Sequence, residues 1–142
     1  MPIKDIRSNV LDKYAFPVQA ISSDTTTSGA IIDTADFDGG GMFTLLCSAY
    51  TDGTYTPLIQ ESDDSGMSGA TAVADANLIG TEAGAALSAV TASGANLNSI
   101  GFFGTKRYVR LQIVSASTSS GATVGATFTG SPEIVPSASL SA

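Results

Sequence analysis

Histidine and tryptophan are absent from this chain, and cysteine occurs once, at Cys47. Without histidine there is no Ser-His-Asp or Cys-His pair and no imidazole cluster for a metal. A single cysteine excludes an intrachain disulfide and a four-cysteine zinc site. Charge is scarce too, at 13% of residues against about a quarter in an average domain. Hydrophobic residues reach 43%, yet no apolar run approaches the roughly 18 residues of a membrane-spanning helix. Basic side chains are few: six Lys and Arg stand against thirteen Asp and Glu, a net charge of −7. Such a field repels phosphate backbones and anionic lipid, so neither nucleic acid nor a membrane is an expected partner. The opening MPIKDIRSNVLDKY has no apolar h-region and no small-residue cleavage site, so the expectation is synthesis in the cytoplasm with Cys47 kept as a thiol.

What is present suits one domain: 142 residues can build one core and not two. All six basic residues fall in two places, Lys4, Arg7 and Lys13 near the start and Lys106, Arg107 and Arg110 far along the chain. Between Tyr14 and Thr105 stand ten acidic residues with no basic residue among them, most beside Gly, Ser or Thr, where turns form. Separated acidic and basic regions suit pairing with copies of the same chain or with a charged partner.

Residues 1–17, with Ile3, Ile6, Val10 and Leu11 in no regular period, read as an irregular N-terminal arm closed by Pro17. An exposed apolar cluster of this kind marks a contact surface. Val18–Ile21 and Ala30–Ile32 read as two short strands around a turn-prone tract. MFTLLCSAY (42–50) and TYTPLIQES (54–62) are β-rich, and the intervening Thr51-Asp52-Gly53 carries the Asp-Gly of a tight turn, which predicts a β-hairpin. Phe43, Leu45, Cys47 and Ala49 form its core face, with Thr44, Leu46, Ser48 and Tyr50 opposite. Pro57 places the second strand at an edge or a bulge. Residues 66–99 are rich in Ala, Gly, Ser and Thr; within them 82–92 reads either as a weak helix or as a long loop with short strands.

Strand pattern returns at 99–104 and at 107–117, where Val109, Leu111 and Ile113 alternate with Tyr108, Arg110 and Gln112. Ser119-Ser120-Gly121 makes a turn, and 122–130 pairs back as another strand. The count of seven or eight short strands without a strong amphipathic helix predicts an all-β, antiparallel β-sandwich of jelly-roll type. Its boundaries are 1–17 for the arm, 18–131 for the sandwich and 132–142 for a C-terminal tail.

No catalytic residue, cofactor site or metal site is assigned, and the chain is read as non-enzymatic. Asp33, Asp36 and Asp38 lack the spacing of an EF-hand loop and read as a turn, as do Asp63 and Asp64. Glu61 and Asp63 do not make the opposed carboxylates of a glycosidase. Gly39-Gly40-Gly41 lacks the Lys-Ser/Thr of a phosphate loop and reads as a flexible joint. Cys47 reads as a small buried apolar residue. Alternation sends Arg110 outward with Tyr108 and Gln112, toward an intermolecular contact, and Arg107 inward to a partly buried intrachain aspartate unless the strand begins after it.

The pieces Asp33 and Phe37, Thr51-Asp52-Gly53-Thr54-Tyr55, Glu61-Ser62-Asp63-Asp64, Leu78-Ile79-Gly80-Thr81, Gly101, and Gly104-Thr105-Lys106-Arg107-Tyr108-Val109-Arg110 together resemble the small cementing, or decoration, proteins of tailed bacteriophages. The resemblance runs over about residues 30–115. It implies a jelly-roll-like fold, self-association, and binding to the major capsid protein on the outside of the shell, where such proteins reinforce the expanded head in the virion. A homodimer is expected ahead of a homotrimer, with contact residues Ile3, Ile6, Val10, Leu11, Tyr108 and Arg110. The alternative is a virion tail or receptor-binding, adhesin-type module that binds glycan, for which Tyr50 with Tyr55 is the candidate platform.

Overall fold

The computed structural model describes residues 9–88 and 96–132. Runs rich in Thr, Val, Ile, Leu and Phe form β1 (Leu11–Ile21), β2 (Thr26–Asp33), β3 (Phe37–Ser48), β4 (Thr54–Ser62), β5 (Thr71–Ala72), β6 (Leu78–Ile79), β7 (Asn96–Phe102), β8 (Tyr108–Ala116) and β9 (Ala122–Pro132). Single 3-10 turns at Thr34–Asp36 and Asp75–Asn77 lead into β3 and β6. The strands lie in two antiparallel sheets, ordered β1-β9-β3-β7-β6 and β2-β8-β4-β5. With the two-residue β6 set aside, the pairing is nested: β1 with β9, β2 with β8, β3 with β7, β4 with β5. A long hairpin wound so that successive pairs fall alternately in two sheets is a jelly roll. Ladders between β3 and β9 and between β4 and β8 complete the two sheets.

The inner faces share one core. Phe43, Leu45 and Cys47 of β3 face it at alternate positions, as a half-buried strand requires. Phe128 of β9 lies at its centre, with ring centroids 4.8 Å from both Phe37 and Phe43 and 6.2 Å from Phe102. From the other sheet come Ile59, Val109, Leu111 and Ile113, all buried. Burial pushes the Cys47 thiol up, which keeps it protonated and unreactive.

Several local expectations give way to this topology. The segment 42–62 is not a hairpin: β3 belongs to one sheet and β4 to the other, so Thr51–Gly53 arches over the end of the sandwich. Gly53 does take positive φ, 96°, but Ala49, expected on the core face, turns outward with φ 50°. The same crossing separates β7 from β8 and β8 from β9; β9 pairs with β1 and β3 rather than back on β8. Pro57 behaves as expected of an edge residue. Its neighbours Tyr55 and Ile59 send their N–H groups away from β8, to Leu87 O (2.8 Å) and Glu82 Oε1 (2.7 Å), so a proline between them costs the ladder nothing.

The arm ends sooner than expected. From Leu11 onward the chain is β1, paired to β9 from Leu11↔Gly130 to Ile21↔Ala122, with Ala15 and Phe16 fully buried. Register shifts between Tyr14 and Phe16 and between Phe16 and Gln19 put two consecutive side chains inward, which destroys the two-residue period. The sandwich therefore starts seven residues before the expected boundary and closes at Pro132. Residues 1–8, with Ile3 and Ile6, and the tail beyond Pro132 lie outside the described residues. Gly39–Gly41 is no joint but a bulged entry to β3. In 82–88 the chain makes turns and one bridge, Tyr55↔Leu87, not a helix, and 89–92 lies outside the described residues.

Where β1 and β2 meet along one side of the sandwich, both strands are irregular. A Cβ added to Gly29 would collide with the carbonyl of Ala15 and stand 2.7 Å from Leu111 O. The missing side chain is what lets the two outer strands close on each other. Gly29→Ala is expected to lower unfolding free energy by about 1–3 kcal/mol, read from urea denaturation, because backbone and not a flexible side chain would have to move. Unchanged stability would show that the side is open.

Candidate interaction surfaces

The six residues expected to make contacts are not gathered in one place. Ile3 and Ile6 lie outside the described residues; Val10 is half-buried, and Leu11 packs against the core as the first residue of β1. Tyr108 and Arg110 stand on the outer face of the four-stranded sheet. Across that face Arg110 lies between Ile31 of β2 and Gln60 of β4. Its Nε and Nη2 both donate to Gln60 Oε1, at 3.0 and 2.9 Å. Gln112 beside it donates to Ser28 Oγ at 2.8 Å.

Arg107 precedes β8 and escapes the alternation that would have turned it inward. It is 57% exposed, and it forks onto Asp33 through Nε–Oδ1 at 2.9 Å and Nη2–Oδ2 at 2.8 Å. The pairing with an intrachain aspartate is found; the partial burial expected with it is not. Lys13 holds Asp36 and lies over the Phe37 ring. These are the two ion pairs among the described residues, so the Arg110 guanidinium carries its charge with no carboxylate beside it.

Several acidic residues of the turns have protein partners. Asp33 Oδ1 also accepts Ala35 N–H, Asp64 Oδ2 accepts from Gly66 and Ser68, and Asp24 Oδ1 accepts Thr118 N–H. Asp52 accepts the N–H groups of Ser119, Ser120 and Gly121, which hold its carboxyl below the usual range. Glu61, buried at the end of β4, accepts Thr105 and Lys106 N–H through Oε2. Among the described residues no three acidic or thiol groups come together around a metal position. Tyr55 is fully buried with its hydroxyl donating to Asp52 O at 2.9 Å, so the Tyr50–Tyr55 pair offers no open platform to a sugar.

A surface that sequence reasoning missed is the outer face of the five-stranded sheet. Of the eight large hydrophobic side chains exposed among the described residues, six lie here: Tyr14, Val18, Met42, Leu46, Ile79 and Leu97, each 42–67% exposed. Register arranges the face in rows. Tyr14, Thr127, Thr44 and Ser99 form the central one. To one side Leu46 lies between Leu97 and Gly125, and beyond Gly125 is Val18. To the other side Met42 lies between Thr129 and Gly101, with Ile79 over Gly101. Because Gly125 has no side chain, a cleft of about 570 Å³ opens between Val18, Leu46 and Leu97. The charge in these rows is Asp12, at the margin, where it accepts the Thr129 hydroxyl. The signal in the sequence was that β3 is apolar in both phases: Met42 and Leu46 occupy positions where alternation calls for polar residues.

Comparison with known proteins finds no family model, curated protein or solved structure that matches this chain.

The Asp33–Arg107 fork carries a pH signature. The guanidinium lowers the Asp33 carboxyl from 3.8 to about 2. A depressed carboxylate stabilises the fold above its ordinary value and loses that contribution as pH falls from about 4 toward 2. The melting temperature of Asp33→Asn should lie below wild type at pH 6, modestly because the pair is exposed, and the gap should close by pH 2. A gap that persists at pH 2 would remove the ion pair as its cause.

Proposed function

We propose that this chain is a structural, non-enzymatic virion protein that decorates the outer surface of a tailed-phage capsid and stabilises the expanded head. The observation that carries the reading is that residues of the phage resemblance meet in space. Asp33 forks onto Arg107, Glu61 receives the N–H groups of Thr105 and Lys106, and Ile79 covers Gly101. Pieces separated by as many as 74 positions therefore make one three-dimensional unit, which supports a likeness of whole folds over a chance likeness of Thr- and Gly-rich strings.

The mechanism needs no reaction. A rigid sandwich bound to more than one shell subunit adds contact energy that must be lost before those subunits separate, and linked sites act at high effective concentration. We assign the shell contact to the four-stranded face, where Arg110 lacks a carboxylate partner among the described residues and stands beside the exposed Ile31. Arginine beside apolar surface is the composition of an interface core, and its planar fork suits a carboxylate on the major capsid protein. Self-association, as a dimer ahead of a trimer, multiplies the attachment points. The protein is made in the host cytoplasm and resides on the head.

Purified chain mixed with expanded, undecorated heads of a tailed phage should co-sediment saturably and raise the temperature at which the heads rupture. Arg110→Ala should weaken that binding at least about tenfold with its own melting temperature nearly unchanged. Failure of the wild type to bind expanded heads overturns the reading, and equal binding by the variant overturns the assigned face.

A further inference from the structure

We propose that the outer face of the five-stranded sheet is the contact between two copies of this chain, laid face to face about a two-fold axis. The inference deepens the self-association proposed above and does not depend on the capsid.

Charge selects the occupant. Each copy carries a net charge of −7, so two copies approaching at random repel. Its carboxylates lie mainly in turns and strand ends, and the rows on this face hold only Asp12, at the edge strand. On it two copies can meet without opposing carboxylates. The four-stranded face, with an unneutralised Arg110 in its middle, would instead set like charges against each other across a two-fold axis.

Pattern makes the face self-complementary. The row of Val18, Leu46 and Leu97 and the row of Met42 and Ile79 flank the central row of Tyr14, Thr127, Thr44 and Ser99. A two-fold axis along the strands lays each apolar row on itself, and one across the strands lays one apolar row on the other. With the axis at β3, Leu46 and Met42 meet themselves in the first case and each other in the second, and in neither do two Asp12 carboxylates meet. An isologous contact needs this property, since one patch must serve both partners. The cleft over Gly125 gives the pairing a receptor of about 570 Å³ for a large side chain of the other copy. Interleaved side chains then place the two sheets at the ordinary separation of a sandwich, about 10 Å, with strands near 30° apart.

Area suffices. Five strands about 4.8 Å apart, averaging about eight residues of 3.3 Å each, make a face of roughly 600 Å². Two such faces bury roughly 1,200 Å², at the lower bound of standard stable interfaces.

Sedimentation equilibrium of the full chain at micromolar concentration, without capsids, tests this. Wild type should be a dimer. Leu46→Glu and Leu97→Glu, each burying a carboxylate in the apolar contact, should weaken the dimer at least about 30-fold. Both side chains point outward, so circular dichroism and melting temperature of the monomer should match wild type; if one variant fails to fold, the other carries the test. Ile31→Glu, on the opposite sheet, should leave the dimer intact. A monomeric wild type, a trimer, a dimer that survives both folded variants, or one that Ile31→Glu breaks equally would overturn the proposal. Head binding is scored apart. A dimer of this kind that ignores heads sinks only the capsid reading, and a wild-type monomer that binds heads sinks only this one.

Discussion

Chain reversals in a jelly roll pass from one sheet to the other, so their N–H groups have no partner strand to donate to, and here carboxylates take them. Asp24 and Asp52 both reach the β8–β9 turn, from Thr118 to Gly121. Glu61 holds the β7–β8 connection, Asp64 the loop before β5, and Glu82 the free edge of β4 beside Pro57. Such charge-assisted bonds are roughly twice as strong as neutral ones. All but those of Asp64 connect segments far apart in sequence, which a β-turn bond cannot do. Five of the thirteen acidic residues thus serve to fasten turns and an edge.

Once the turns are fixed, the two outer faces acquire separate chemistries. On the four-stranded sheet Arg110, Gln60, Gln112 and Ser28 form polar cross-strand pairs. On the five-stranded sheet hydroxyls and hydrocarbons alternate in rows, and a glycine leaves a cleft among them. Neither face is needed by the core, whose members point the other way, so each is free to be selected for what it touches. A protein with two such faces can be part of a layer: one side against its copy, the other against a third body.

The sequence made the all-β sandwich legible because period two is written plainly in β8 and in the buried phase of β3. It misled wherever a local rule competed with topology. Asp52-Gly53 is a good turn signal, but a dipeptide says nothing about whether the flanking strands lie in one sheet. Of β1 only Val18–Ile21 is legible as strand, because bulges around Ala15 and Pro17 break the alternation of the part before it. Counting back from Val109 turns Arg107 inward unless the strand begins after it, and β8 does begin after it, at Tyr108. The apolar face went unread for a different reason. Alternation identifies the buried phase and discards the rest, so Met42 and Leu46 passed as filler until the ladders put Tyr14, Val18, Ile79 and Leu97 beside them.

Nesting also sets a clock. Leu11 pairs with Gly130, so the first strand of the sandwich finds its ladder only when the last has been made. A ribosome adds about 5–20 residues per second, and the interval between the two strands is on the order of ten seconds. For that time β1 exists without its neighbour, and β3 is missing one side of its sheet. Distant pairing of this kind is slow to begin. In a cell that makes many copies at once, nascent chains with Phe16 and Phe43 uncovered would meet one another before they are complete. The proline and the bulges of β1, which spoil it as an open edge for a stranger, therefore guard the molecule during its synthesis as well as after it.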